Sequence, residues 1–178
     1  FGTGGHATTS ACLAMLDRLA VRGERFSRIA DIGTGTGLLA FAAMHLWPQA
    51  RCTASDIDPM SVTVSRENAT LNAVLLGRGP GELALCAASG TDHPLIQRRA
   101  PYDLLIANIL AGPLIELAPG FAEIMAESGT LILAGLLDTQ RDAVIQAYAA
   151  QGLRIAEASA GEWPCLRLVK RRRYGWQR

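Results

Sequence analysis

The sequence predicts an α/β fold: a mostly parallel sheet of seven strands, helices on both faces, and an antiparallel hairpin at one edge. Apolar runs of strand length alternate with helix-patterned segments along nearly the whole chain, the order that builds parallel sheets through crossover helices. These strands are apolar throughout rather than alternately polar, as strands covered on both faces must be. The last two strand-like segments have no helix between them, which makes them an antiparallel pair at the edge.

Each element has a local reason. Ala7–Val21 carries apolar residues at 12, 13, 16 and 19–21, an amphipathic helix with Thr8 or Thr9 as expected N-cap. Arg28–Ile32 is a strand, and residues 37–46 form a helix that Pro48 ends. Arg51–Asp56 is a strand. Residues 59–72 form a helix with Asp58 as N-cap and Pro59 at its first position. Residues 82–88 form a strand, followed by a loop through Asp92, His93 and Pro94. Residues 102–110 form a strand, 113–126 a helix, 129–137 a strand, and 138–151 a helix closed by Gly152. Leu153–Ala158 and residues 165–170 are the edge pair.

A chain of 178 residues is one domain's worth and buries a full core unaided. With 49% hydrophobic and 19% charged residues it is not a disordered chain. No apolar run approaches the ~20 residues of a membrane span. The formal charge of +1 hides an asymmetry. Lys170, Arg171, Arg172, Arg173 and Arg178 lie in the last nine residues, so the first 169 hold 12 basic and 16 acidic groups, a net of −4. That body is less basic than nucleic-acid binding ordinarily requires. The tail 170–173, with Tyr174 and Trp176, is the candidate for an RNA contact. Cysteines 12, 52, 86 and 165 form no CxxC pair and suggest no metal site. Reduced thiols fit a cytoplasmic protein. No signal peptide is visible, and the start at Phe1 suggests that upstream residues are not included.

The strongest motif is Asp31-Ile32-Gly33-Thr34-Gly35-Thr36-Gly37, which follows the first strand and opens a helix. Glycine is required where the chain turns sharply and its backbone approaches a ligand. The second strand ends in Asp56, whose carboxylate can accept from both ribose hydroxyls of an adenosine. A dinucleotide fingerprint GxGxxA can be read from Gly35 to Ala40, two residues further from the strand; GxGxG from Gly33 fits S-adenosylmethionine better. Asp31 is a candidate partner for that cofactor's amino group. Asn108 ends the fourth strand at the carboxyl edge of the sheet, where one amide offers both a donor and an acceptor. It is a candidate for positioning an amine nucleophile or contacting the cofactor.

With these residues in view, the opening FGTGGHATTSACLAMLD, then DIGTGTGLLA, SDIDP and ANILAGPLIELAP, closely resemble the PrmA family, enzymes that methylate ribosomal large-subunit protein eleven. The resemblance runs over essentially the whole chain, down to Glu162-Trp163-Pro164. It implies a Rossmann-like class I methyltransferase domain that uses S-adenosylmethionine, with Thr9, Gly33, Gly35, Asp56 and Asn108 at the cofactor and Asn108 as the catalytic residue. His6 lies in the opening motif without an assigned role. The family usually has Cys and Ser where this chain has Thr34 and Thr36. The chain begins where the family's catalytic domain begins, so residues 1–178 are expected to be that domain without the separate N-terminal domain that grips the substrate. The expected activity is transfer of methyl groups to lysine or N-terminal amines of a ribosomal large-subunit protein. Alternatives are a methyltransferase for another protein, a small molecule or a nucleic acid, a non-catalytic cofactor-binding module, or, from the Gly35–Ala40 register alone, a nicotinamide-dependent oxidoreductase.

Overall fold

The computed structural model describes residues 7–172. The helix α1 (Ala7–Val21) comes first. Strand and helix then alternate through β1 (Arg28–Ile32), α2 (Leu38–Leu46), β2 (Arg51–Asp56), α3 (Pro59–Leu71), β3 (Leu83–Ala87), α4 (Pro94–Arg99) and β4 (Tyr102–Asn108). Next come α5 (Ala111–Glu116), α6 (Ala118–Ile124), β5 (Met125–Ala134), a 3-10 turn (Asp138–Gln140), α7 (Arg141–Ala150), β6 (Leu153–Ala158) and β7 (Leu166–Lys170).

The seven strands form one sheet in the order β3-β2-β1-β4-β5-β7-β6. All pairings from β3 to β5 are parallel, and β7 runs antiparallel between β5 and β6. The expected sheet, edge pair included, is therefore present. Because β1 has β2 on one side and β4 on the other, the chain reverses its direction of winding there. The crevice that opens at the carboxyl ends of β1 and β4 is where such sheets bind ligands.

Period-two alternation sends successive side chains to opposite faces. Ile29, Leu104 and Ile106 pack with Met15 and Leu16 of α1 and Ala40 of α2. Ala30, Ile32, Leu105 and Ala107 pack with Leu114, Phe121 and Tyr148 of α5, α6 and α7. By the same period Asp31 and Asn108 project to the α1/α2 face. The start of β1 is tied to β4 by Asp103, whose carboxylate accepts from Ser27 N–H, Ser27 Oγ and Arg28 N–H at 2.9, 2.7 and 2.9 Å.

Several local expectations are corrected. The helix expected over 113–126 is two short helices that meet at Leu117. Pro119 lacks an N–H and its ring crowds the carbonyl four residues back, so one straight helix cannot pass through. The strand expected over 129–137 is already extended from Met125 and ends at Ala134. The loop after β3 contains α4, whose N-cap is His93, its Nδ1 accepting from Leu95 N–H at 3.1 Å. Thr8 and Thr9 are not N-caps: they lie inside α1, buried against the sheet. Lys170 is not a solvated tail residue. It ends β7, and its Nζ donates to the carbonyls of Ala122 and Met125 at 2.7 and 2.8 Å. Asp58 does cap α3, accepting from Met60 N–H at 2.9 Å.

The Tyr148 hydroxyl is fully buried and donates to the Leu114 carbonyl at 2.8 Å, joining α7 to α5. Tyr148→Phe leaves that carbonyl unpaired and is expected to cost about 1–3 kcal/mol. The measurement is urea unfolding: a lower midpoint at an unchanged m value is expected, and an unchanged midpoint refutes it.

Candidate active site

The site begins with a buried charge. Asp31 lies one residue before the end of β1 and is 1% exposed. Its Oδ2 accepts from Thr34 Oγ1 at 2.6 Å and from Ala40 N–H at 3.2 Å. Ala40 is the third residue of α2, so Asp31 occupies one of the free amides that every helix start presents. Burial pushes the Asp31 carboxyl up to about 6, against the lowering effect of Thr34 and Ala40, while the charge of Asp56 raises it further.

The glycine turn wraps around this carboxylate. Gly33, Gly35 and Gly37 have φ of +79°, +56° and +87°, the left-handed region that side-chain-bearing residues avoid. They differ in what surrounds them. A Cβ at Gly33 would overlap the Ile109 side chain, and one at Gly37 the Phe41 ring. A Cβ at Gly35 would meet nothing within 4 Å. Gly35 therefore faces open space, which a ligand can fill.

Two neighbours hold the turn in place. The Asp56 carboxylate accepts from Gly35 N–H through Oδ2 at 2.9 Å and from Asp58 N–H through Oδ1 at 3.0 Å. Each oxygen keeps a further lone-pair site, enough for two hydroxyl donors. From α3, Ser65 Oγ donates to Gly35 O at 2.7 Å and Asn68 Nδ2 to Thr36 O at 2.9 Å. The supporting roles of Thr34, Ser65 and Asn68 escaped the sequence reading. Their one sequence signal is the i, i+3 spacing of Ser65 and Asn68, which places both on one helix face.

Asn108 ends β4 on the same face as Asp31. Its Nδ2 donates to Thr9 Oγ1 at 3.3 Å, joining the start of α1 to the carboxyl edge of the sheet. Its Oδ1 is buried and has no hydrogen-bond partner among the described residues. A buried acceptor left unpaired costs free energy comparable to a lost hydrogen bond. Here it marks a position where a donor is wanted. The two residues expected at the cofactor's reactive end are thus in contact, although 99 positions separate them. Gly33, Gly35 and Asp56 lie along the adjoining turn. His6 and the glycine-rich residues 1–5 fall outside the described residues.

Comparison with known proteins places this geometry. A family model described as "Ribosomal protein L11 methyltransferase (PrmA)" matches residues 1–171. The chain belongs to the PrmA family. A ribosomal protein L11 methyltransferase of Brucella suis is 45% identical over 153 residues, covering 86% of this chain and 51% of the relative. One from Mesorhizobium japonicum is 46% identical over 154 residues, covering 86% and 51%. The chain thus spans about half the length of the curated relatives it matches. The crystal structure of a ribosomal protein L11 methylase from Lactobacillus delbrueckii superposes with a TM-score of 0.79 at 32% identity, covering 95% of this chain and 81% of that one. The N-methyltransferase NodS from Bradyrhizobium japonicum, in complex with S-adenosyl-L-homocysteine, has a TM-score of 0.70 at 14% identity, which shows a shared fold.

The groups observed in this PrmA domain suit S-adenosylmethionine. It brings two ribose hydroxyls and two positive centres; the site offers an open face at Gly35, the spare lone pairs of Asp56 and the negative charge of Asp31. A dinucleotide is a poor match. Its pyrophosphate would need the α2 amides, and Asp31 already holds one of them with a carboxylate. The Gly35–Ala40 register and the oxidoreductase alternative are set aside on that ground.

Two predictions follow from the turn and its charge. Gly33→Ala is expected to destabilise the fold through both its φ and its clash with Ile109. Gly35→Ala is expected to cost only about 1–2 kcal/mol of stability for its left-handed backbone but to abolish binding of S-adenosylmethionine. Calorimetric titration of each folded variant decides this, and retained affinity in Gly35→Ala refutes it. The second prediction concerns pH. An unfolded Asp31 loses its proton near 3.8, the folded one near 6. Between those values the folded state holds a proton the unfolded state has lost, so stability falls as pH rises through the window and stays reduced above it. The cost at pH 7 is on the order of 3 kcal/mol. Asp31→Asn keeps the acceptor for Thr34 and Ala40, so it is expected to raise stability at pH 7 and flatten the urea-midpoint profile between pH 4 and 6. An unchanged profile refutes it.

Proposed function

We propose that residues 1–178 form the catalytic domain of an S-adenosylmethionine-dependent protein N-methyltransferase, acting on lysine or N-terminal amines of a ribosomal large-subunit protein. One observation carries this reading: the unpartnered, buried Oδ1 of Asn108 beside Thr9 at the carboxyl edge of the sheet. An amide oxygen there accepts an N–H of an incoming amine and turns the nitrogen lone pair toward the methyl group. Asn108 is thereby the catalytic residue. The cofactor is held by Gly33 and Gly35 along its length, by Asp56 at the ribose hydroxyls, and by Thr9 and Asn108 near the reactive end.

When bound, the donor supplies a methyl group on a sulfonium that leaves readily. The nitrogen–carbon bond forms as the carbon–sulfur bond breaks, and the amine loses a proton. The protein's own work is positioning and exclusion of water. A lysine amine, with an ordinary pKa of about 10.4, must arrive neutral, and a dry site favours that form. Thr9 fixes the rotamer of Asn108 through its hydroxyl. Asp31, buried below, supplies negative charge toward the donor's positive centres. Leu110, 58% exposed immediately past β4, offers an apolar rim against which a protein substrate can lie.

The substrate assignment rests on the names carried by the relatives of the PrmA family. The basic end of the chain, with Arg171 and Arg172 exposed after β7, supports an RNA contact; Arg173, Tyr174, Trp176 and Arg178 lie outside the described residues. Among the described residues no helix is long and apolar enough to cross a membrane. A cytoplasmic location is the one that suits a ribosomal substrate.

Titration with S-adenosylmethionine tests the cofactor half of this proposal. Asp56→Ala removes two charged acceptors and is expected to weaken binding by about 100-fold or more. Asn108→Ala is expected to lower turnover on the ribosomal protein at least about ten-fold, the worth of one well-placed hydrogen bond. Unchanged turnover together with unchanged cofactor affinity in Asn108→Ala would sink the catalytic assignment.

A further inference from the structure

The edge of the sheet opposite the site carries a cluster of arginines that form no ion pair among the described residues. Arg28 opens β1, Arg51 opens β2, and Arg98 and Arg99 close α4; with Tyr102 they line a cavity of about 110 Å³. Arg99 is fixed in place. Its Nε donates to Thr53 Oγ1 at 2.7 Å, and its two Nη atoms donate to the carbonyls of Arg78 and Cys52 at 3.0 and 3.2 Å. Two of its five N–H donors remain. The ion pairs found among the described residues use Arg18, Arg22, Arg141 and Arg167, and none reaches this cluster.

The nearby carboxylates form no ion pair with it among the described residues, although the charge of the Asp103 carboxylate stands beside the backbone of Arg28. Asp103 is taken up by Ser27 and the backbone of Arg28, and Glu82 accepts from Gly79 N–H at 2.7 Å. Burial pushes the Arg99 guanidinium below its ordinary value; Tyr102 and Cys52 act against that, and the charges of Arg51 and Arg78 add a smaller lowering. Four guanidinium groups thus line one cavity, an arrangement that suits an anion.

We propose that this cavity binds the phosphodiester backbone of an RNA strand. Guanidinium forks match phosphate oxygens in pairs, which ammonium groups do not. The extent of the row argues for a chain of phosphates rather than one free anion. Because β7 is antiparallel, its end pairs with the start of the parallel part of β5, Val169 opposite Thr130. Arg171 and Arg172 therefore emerge at this same edge. From β2 to β7 is four strand spacings in the sheet order, about 19 Å at the usual separation. The inference does not depend on the methyl-transfer reading, since it concerns the other edge of the sheet.

The test is fluorescence anisotropy of a labelled single-stranded RNA with the 178-residue chain across a range of salt. Arg51 and Arg98 are exposed, and among the described residues neither side chain makes a hydrogen bond or ion pair on which the fold depends. The double variant Arg51→Gln/Arg98→Gln is expected to bind RNA at least ten-fold more weakly. Its salt slope should fall by about 1.4, the value for two lost phosphate contacts on a single strand. Its affinity for S-adenosylmethionine should be unchanged. Four results would overturn the proposal: no RNA binding by the unaltered chain, equal binding by the double variant, inorganic phosphate binding as tightly as the oligonucleotide, or arginine-dependent retention on anionic phosphatidylglycerol vesicles in place of RNA.

Discussion

The catalytic edge depends on one buried carboxylate. Asp31 sits where β1 ends and α2 has yet to begin, and its Oδ2 ties together Thr34 of the turn and Ala40 of the helix. It fills the anion-seeking start of α2 from within the protein. That choice fixes the path of the glycine turn and makes the crevice above it negative. A fold that elsewhere receives phosphates at this point is here suited to a ligand with positive centres. The carboxylate exacts a stability cost for being ionised while buried, and a cationic ligand relieves part of it.

The second determinant is the pleat. Asp31 pairs with Ile106 across β1 and β4, and Asn108 lies two residues further along β4. Both therefore face α1, and α1 carries Thr9 to the amide of Asn108. A one-residue slip in the pairing of β4 would send Asn108 to the opposite face, into the place Ala107 now holds beside Leu114 and away from Thr9. The register of β4 between β1 and β5, with Asn108 opposite Ala134, is what brings the Asn108 amide to Thr9, and under the proposed role of Asn108 it constrains function as well as structure.

The cofactor side of the site was legible because its chemistry is local. Three glycines at alternate positions and a carboxylate at the next strand's end are sequence signals in their own right. The contact of Thr9 with Asn108 was legible only as two separate positions, Asn108 as the polar end of a buried strand and Thr9 through the family resemblance; nothing short-range links them. The supports were hidden for the same reason. Ser65 and Asn68 look like ordinary helix polar residues until α3 folds back over the turn. Helix α4 was missed because six residues capped by a histidine give a weak pattern. The break at Leu117 is hidden because Pro113 suits the start of a helix and the apolar pattern continues past Pro119, whose ring bars one straight helix there. Lys170 looked like part of a basic tail, and only the antiparallel placement of β7 brings its amine to two carbonyls of the α6–β5 junction.

The two edges of the sheet carry opposite charge, and their separation has consequences. Asp31 and Asp56 stand at the carboxyl edge, whereas Arg28, Arg51, Arg98 and Arg99 stand at the amino edge. Strands of five to seven residues hold these edges apart by roughly 16–23 Å. That exceeds the screening length of about 8 Å at physiological salt. Neither group therefore cancels the other, although the overall charge of +1 suggests a neutral surface. A polyanion along the amino edge would leave the carboxyl edge free for an amine and a cationic donor, with little competition between them. Net charge is a poor guide to the partners of a parallel α/β fold, because its strand starts and strand ends form two separate surfaces.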